Sequence, residues 1–157
     1  MRYPIRIMYS LRPATPADID TLIHHRYCMW RDMGRDAEQL TLVEPAARTY
    51  FTAALPSGAY RGWLAEADRK IVGGAGIVIS AWPGMLGSPL AKRAMILNMF
   101  VEQEYRRRGI ARALMETMIA WCKAEGFTSV GLHASDEGRP LYESMGFEPT
   151  NEMRLNF

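Results

Sequence analysis

Apolar positions along the chain follow two periods, one of two residues and one of three to four, and the switches between them mark its elements. Ile5 to Arg12 alternates and predicts a first strand, ended by Pro13 and Pro16. Thr15-Pro16-Ala17-Asp18 has the chemistry of a helix start: a hydroxyl cap, a proline at the first position and an acid in the first turn. Ile19, Leu22, Ile23, Tyr27 and Trp30 then keep helical spacing up to Gly34. A second helix is predicted from Ala37 to Leu55, broken or bent at Pro45, before the turn Pro56-Ser57-Gly58. Ala59 to Ala67 and Ile71 to Ala81 read as two strands about the polar loop Asp68-Arg69-Lys70. Gly73-Gly74-x-Gly76 lies inside the second of them, and no helix follows, so it is not a phosphate loop. Close approach of another group, or a bulge, accounts for it.

Beyond the Gly- and Pro-rich loop Trp82 to Leu90, Arg93 to Val101 reads as a further strand. A helix from about Arg108 to Glu125 carries Ile110, Ala113, Leu114, Met118 and Trp121 on one face and ends at Gly126. Thr128 to His133 predicts a short strand, Pro140 to Met145 a short helix, and Phe147 to Phe157 an extended segment suited to a sheet edge. No repeat, low-complexity tract or linker interrupts the pattern, so residues 1–157 are read as one domain.

Candidate chemistry is concentrated where Glu102-Gln-Glu-Tyr-Arg-Arg-Arg-Gly109 meets the long helix. The first N–H groups of a helix have no acceptor within it, and the dipole makes that end positive. A pyrophosphate can supply the acceptors. Gly109 has no Cβ and Ala111 is small, so oxygens can approach the main chain, and the arginines add attraction for an anion. A solvated arginine face would leave Gly109 and Ala111 unexplained.

Arg106-x-x-Gly109-x-Ala111 resembles the acetyl-CoA signature (Arg/Gln)-x-x-Gly-x-(Gly/Ala) of the GCN5-related N-acetyltransferases. Leu132-His133-Ala134-Ser135, followed by Leu141-Tyr142-Glu143-Ser144-Met145-Gly146-Phe147, resembles the close of that family's cofactor domain, in matching order and separation. The resemblance implies an α/β fold: a mixed, mostly antiparallel twisted sheet with flanking helices. Within it, a parallel strand pair splays apart after a bulge. Acetyl-CoA would then lie in the gap as co-substrate. The main chain of Met99, Phe100 and Val101 would pair with pantetheine amides, and Arg106, Arg107, Arg108, Gly109, Ile110 and Ala111 would hold the pyrophosphate. Many relatives carry an Asn beside the Ser and one more residue before the Leu-Tyr pair. Here Ser135 or Arg139 is expected to contact CoA instead.

The activity implied is direct transfer of an acetyl group to an amine of a small molecule or peptide. Such a reaction needs an uncharged amine, a donor for the thioester oxygen and a proton for the departing thiolate. By resemblance Tyr142 is the acid; the alternative is a core tyrosine. A strand N–H near Phe100 is the expected oxyanion donor. Some relatives carry a Glu base where this chain has Gly131, so the base is left among His133, Glu102, Glu104 and a water chain. The acceptor pocket is expected from the first two helices and the Trp82–Leu90 loop, with Asp32, Asp36 and Glu38 able to meet a cationic amine. Met29 and Trp30 fit either its wall or the core.

Composition narrows the alternatives. A net charge of +2, without aromatic residues interleaved among the arginines, disfavours a nucleic-acid binder. No apolar run approaches a membrane span, and the N-terminus lacks a secretory pattern. Cys28 and Cys122 read as free thiols, and no zinc-type spacing occurs, so a cytoplasmic protein without metal is expected. A non-catalytic acetyl-CoA sensor on the same fold, and a preference for longer acyl groups, stay open. A homodimer is expected by analogy with the family.

Overall fold

A computed structural model describes residues 8–157. Among them, five strands form one sheet in sequence order: β1 (Ser10–Pro13), β2 (Tyr60–Ala67), β3 (Lys70–Ala81), β4 (Lys92–Val101) and β5 (Gly131–Leu132). The first three junctions are antiparallel and β4–β5 is parallel. Helices α1 (Ile19–Asp32) and α2 (Ala37–Ser57) cover one face. The other face is packed by α3 (Ile110–Ala124), with α4 (Arg139–Ser144) beside it. This is the mixed sheet with flanking helices that the resemblance implies.

Several boundaries differ from expectation. Ile5 to Ile7 of the first predicted strand lie outside the described residues, and the pairing seen runs from Ser10 through Pro13, which lies opposite Trp63. Pro16–Asp18 forms a 3-10 turn before α1 begins. Asp18 holds that turn: its carboxylate accepts from Thr15 N at 2.8 Å and from both Arg12 terminal nitrogens at 2.8 and 2.9 Å. Helix α2 continues through Pro45 and Pro56 and stops where Gly58 turns left-handed. Its N-terminus is capped by Asp36, which accepts from Glu38 N.

The strand predicted over Thr128 to His133 contracts to two residues. Only Met95 and Ile96 of β4 pair with Gly131 and Leu132, and from Leu97 to Val101 that edge of β4 has no strand beside it. Divergence of the parallel pair thus shortens β5. The Phe147–Phe157 segment, expected as an edge strand, pairs with no strand among the described residues. Met153, Leu155 and Phe157 on it are exposed.

A bulge sits where the parallel pair parts. Gly74 lies opposite Phe100 and Gly76 opposite Leu97, so Ala75 alone faces Asn98 and Met99. Asn98 takes φ +61°, in the left-handed region that asparagine tolerates better than most side chains. Two consecutive side chains therefore turn to the α1 face: Leu97 packs there, and Asn98 Nδ2 donates to Leu22 O at 3.0 Å. The glycine run is explained by close approach. A Cβ on Gly74 would stand 2.8 Å from Leu64 Cδ2, and one on Gly76 would collide with the Tyr60 ring. That ring, reaching over from β2, packs edge-on against Phe51 of α2.

Candidate active site

The bulged end of β4 forms the back of a cavity of about 440 Å³. Met99, Phe100 and Val101 line it from the strand, and Tyr105, Arg106 and Arg107 from the following turn. The start of α3 adds Gly109 to Arg112, and the β5–α4 segment adds Ser135, Glu137, Gly138, Leu141 and Tyr142. Met29, Asp32 and Met33 close it from α1.

The turn is bent twice into the left-handed region, at Arg107 (φ +62°) and at Gly109 (φ +83°). Gly109 is the N-cap of α3, and the first amide to bond back is Ala113 N, to Gly109 O at 3.0 Å. The amides of Ile110, Ala111 and Arg112, on the cavity wall, are thus the orphan donors of the helix start. Around an added Cβ at Gly109, only Tyr9 Oη among the described residues comes within 4 Å, at 3.9 Å. The space there is open to an anion rather than filled by the protein.

The Arg106 guanidinium is engaged at every nitrogen. Nε donates to Val101 O at 2.8 Å, Nη2 to Asp32 Oδ2 at 2.7 Å, and Nη1 lies 3.7 Å from Glu137 Oε1. The Arg106 hydrogen bond holds the Asp32 carboxyl below its usual range, with a smaller contribution from Arg31. Arg108 and Arg139 lie off the cavity wall, over the Tyr105 ring and 3.7 Å from Glu143 respectively. Ser135 is on the wall, and its Oγ accepts from Gly138 N at 3.1 Å.

Tyr142 is 8% exposed on α4 and meets the cavity. Its ring occupies the side-chain space of Gly138, where a Cβ would come 3.1 Å from the hydroxyl. Burial pushes the phenol above its ordinary pKa, so it is protonated at neutral pH. His133 stands elsewhere: it is exposed and its Nε2 is 3.0 Å from Glu152 Oε1, away from the wall. Glu102 lies 3.6 Å from His24, and neither it nor Glu104 lines the cavity. The Trp82–Leu90 loop contributes nothing to this wall; Arg93 stacks over Trp82 at 4.5 Å instead.

Sequence reasoning missed Met33, Tyr105, Arg112, Glu137, Gly138 and Leu141 as wall residues, and Asn98 as the bulge residue. Asn98 carried a signal: an amide at the point where apolar alternation in a strand breaks. Among the described residues no group of three or more His, Cys, Asp or Glu could hold a metal, and both cysteines are buried free thiols. No helix among them is long and apolar enough to cross a membrane.

A splayed parallel pair, a bulge beside it and an anion-ready helix start in one cavity define an architecture shared with known proteins. The family model of the acetyltransferase (GNAT) domain matches residues 58–149. The chain belongs to the GCN5-related N-acetyltransferase family. Human N-acetyltransferase 8 is 33% identical over 93 residues, 57% of this chain and 39% of the human protein. Rat N-acetyltransferase family 8 member 3 is 33% identical over 100 residues, 60% of this chain and 41% of the rat protein. The chain thus spans about two fifths of the length of these relatives.

Solved structures match over nearly the whole chain. A GCN5-related N-acetyltransferase from Ralstonia eutropha JMP134 superposes with a TM-score of 0.91 at 35% identity, covering 96% of this chain and 99% of that one. A predicted acetyltransferase from Clostridium acetobutylicum, solved with acetyl-CoA, gives a TM-score of 0.88 at 27% identity, covering 95% of this chain and 96% of that one.

Proposed function

We propose that the protein is an acetyl-CoA-dependent N-acetyltransferase in which an amine attacks the thioester directly. The observation that carries this reading is the union, in one cavity, of the open cradle at Gly109, the strandless edge of β4 and the buried phenol of Tyr142. The residues present fit the co-substrate. The amides of Gly109 to Arg112 would hold its pyrophosphate, and the main chain of Met99 to Val101 would meet its pantetheine arm by strand-like pairing. The relative solved with acetyl-CoA supports the same assignment.

When bound, acetyl-CoA supplies an activated acyl group. The chain's own residues then divide the work. A main-chain N–H at Phe100 or its neighbour stabilises the developing oxyanion. Tyr142, kept protonated by burial, donates its proton to the departing sulfur. Asp32 and Glu137 are the carboxylates on the wall, and Asp32 is taken up by its hydrogen bond from Arg106. Deprotonation of the amine through solvent is the reading this favours, and the bound geometry supplies much of the acceleration. The acceptor enters past Met29 and Met33 of α1, which offer it an apolar wall.

Calorimetric titration of wild type and Gly109→Glu with acetyl-CoA, followed by thiol release with a panel of amines, tests the proposal. Wild type binds and the variant does not. No binding by wild type, or equal binding by both, overturns it.

A further inference from the structure

Among the described residues, three fully buried side-chain polar atoms have no hydrogen-bond partner: His25 Nδ1, Tyr60 Oη and Asn98 Oδ1. They surround one feature. His25 Nδ1 lies 3.1 Å from the place of a Cβ on Gly74, and Tyr60 Oη lies against the corresponding place on Gly76. These two glycines share a face of β3. Asn98 sits across from them in the bulge, opposite Ala75, with its Nδ2 fixed to Leu22 O, one helical turn before His25. His25 Nδ1 and Asn98 Oδ1 therefore lie beneath α1 at the β3–β4 bulge, and Tyr60 Oη lies beside it at Gly76.

Their chemistry is complementary to water and not to an ion. Asn98 Oδ1 only accepts. Tyr60 Oη can donate. His25 Nδ1 accepts when the ring proton is on Nε2. A water in reach of all three would donate to Asn98 and His25 while accepting from Tyr60. Buried polar atoms otherwise left unpaired are the usual hosts of internal water. Burial, reinforced by the neighbouring His24, lowers the His25 pKa to about 4, so the ring is neutral near pH 7.

We propose that His25, Tyr60 and Asn98 hold an internal water site of one or two molecules, and that this site locks the left-handed turn at Asn98. The lock has a direct line to the cavity. The main chain of Met99 to Val101 leaves the bulge immediately after Asn98, and the Phe100 ring packs on His25 with centroids 5.2 Å apart. Asn98 and His25 are thereby positioning residues: they aim the main-chain N–H groups that meet the acyl group. This second part rests on the acetyl-transfer reading; the water site does not.

A high-resolution crystal structure of the full chain tests the site. An ordered water within hydrogen-bond distance of at least two of the three atoms supports it. Direct contact between the three groups, or no water there, overturns it.

Asn98→Gly, which keeps the backbone free to turn left-handed while deleting the amide, and Tyr60→Phe test the positioning. With an amine that turns over, kcat falls about tenfold in Asn98→Gly and about threefold in Tyr60→Phe, while KM for acetyl-CoA holds. Unchanged kcat in both, or KM rising in step with a falling kcat, overturns the positioning role. If wild type does not bind acetyl-CoA, the acetyl-transfer reading fails and the positioning role with it, while the crystallographic result still decides the water site.

Discussion

Arg106 and Asp32, 74 residues apart in the chain, are joined by a 2.7 Å hydrogen bond that ties the end of α1 to the turn opening α3. The guanidinium spans both walls of the cavity and also caps the last carbonyl of β4. Arg106→Lys keeps the charge but cannot reach three acceptors with one ammonium. The lysine variant and Asp32→Asn should each weaken acetyl-CoA binding about fivefold, and the double variant by less than the product, as calorimetry on the four proteins would show.

Gly109 separates backbone strain from ligand space. At φ +83° an alanine costs about 1–2 kcal/mol, a drop in Tm of roughly 3–6 °C for a chain of this size. Among the described residues its Cβ meets nothing closer than Tyr9 Oη at 3.9 Å. Gly109→Ala should therefore fold, melt slightly earlier and bind acetyl-CoA at least about tenfold more weakly, since its methyl group enters the anion cradle.

Tyr142→Phe removes the proposed acid and leaves the ring that fills the place of Gly138. Expected is a fall in kcat of about 10²-fold with the acetyl-CoA dissociation constant within about twofold of wild type. The basic limb of the pH profile, set in wild type by a phenol above its ordinary pKa, should disappear from the variant. Stopped-flow thiol release across pH 7–11 measures both.

Acid should destabilise the fold in two windows. His25 is held neutral, so the unfolded chain takes up a proton between about pH 6.5 and 4 that the folded chain refuses; stability falls with pH there, by about 2–3 kcal/mol in all. Asp18 has its pKa lowered to about 2, chiefly by hydrogen bonds from Arg12. Its contribution is full above the ordinary carboxylate range and is lost as pH falls through about 2. Arg12 is partly exposed, so about 1 kcal/mol is expected from that pair. Urea titrations from pH 8 to pH 2 should show the upper window flattened in His25→Gln and the lower one in Asp18→Asn.

Legibility followed the range of the interaction. Helix α3 announces itself because Ile110, Leu114 and Met118 are buried at helical spacing, and the Gly109 turn because local backbone chemistry demands it. The two-residue length of β5 was hidden, since it depends on where β4 bends away and not on the residues from Thr128 to His133. The burden on Arg106 was hidden for a similar reason: its partners Asp32 and Glu137 come from distant segments. His133 looked chemically apt from sequence, but its position beside Glu152 depends on a tail whose course no local pattern states.

Tyr60 fills the volume that a side chain at Gly76 would claim, so one ring serves two residues on adjacent strands. Neither position can drift alone: a methyl group at 76 evicts the ring, and a small residue at 60 leaves a hole against Phe51. Paired changes, a side chain gained at 76 together with a ring lost at 60, are the permitted route. In engineering, the two sites are to be redesigned as a single unit.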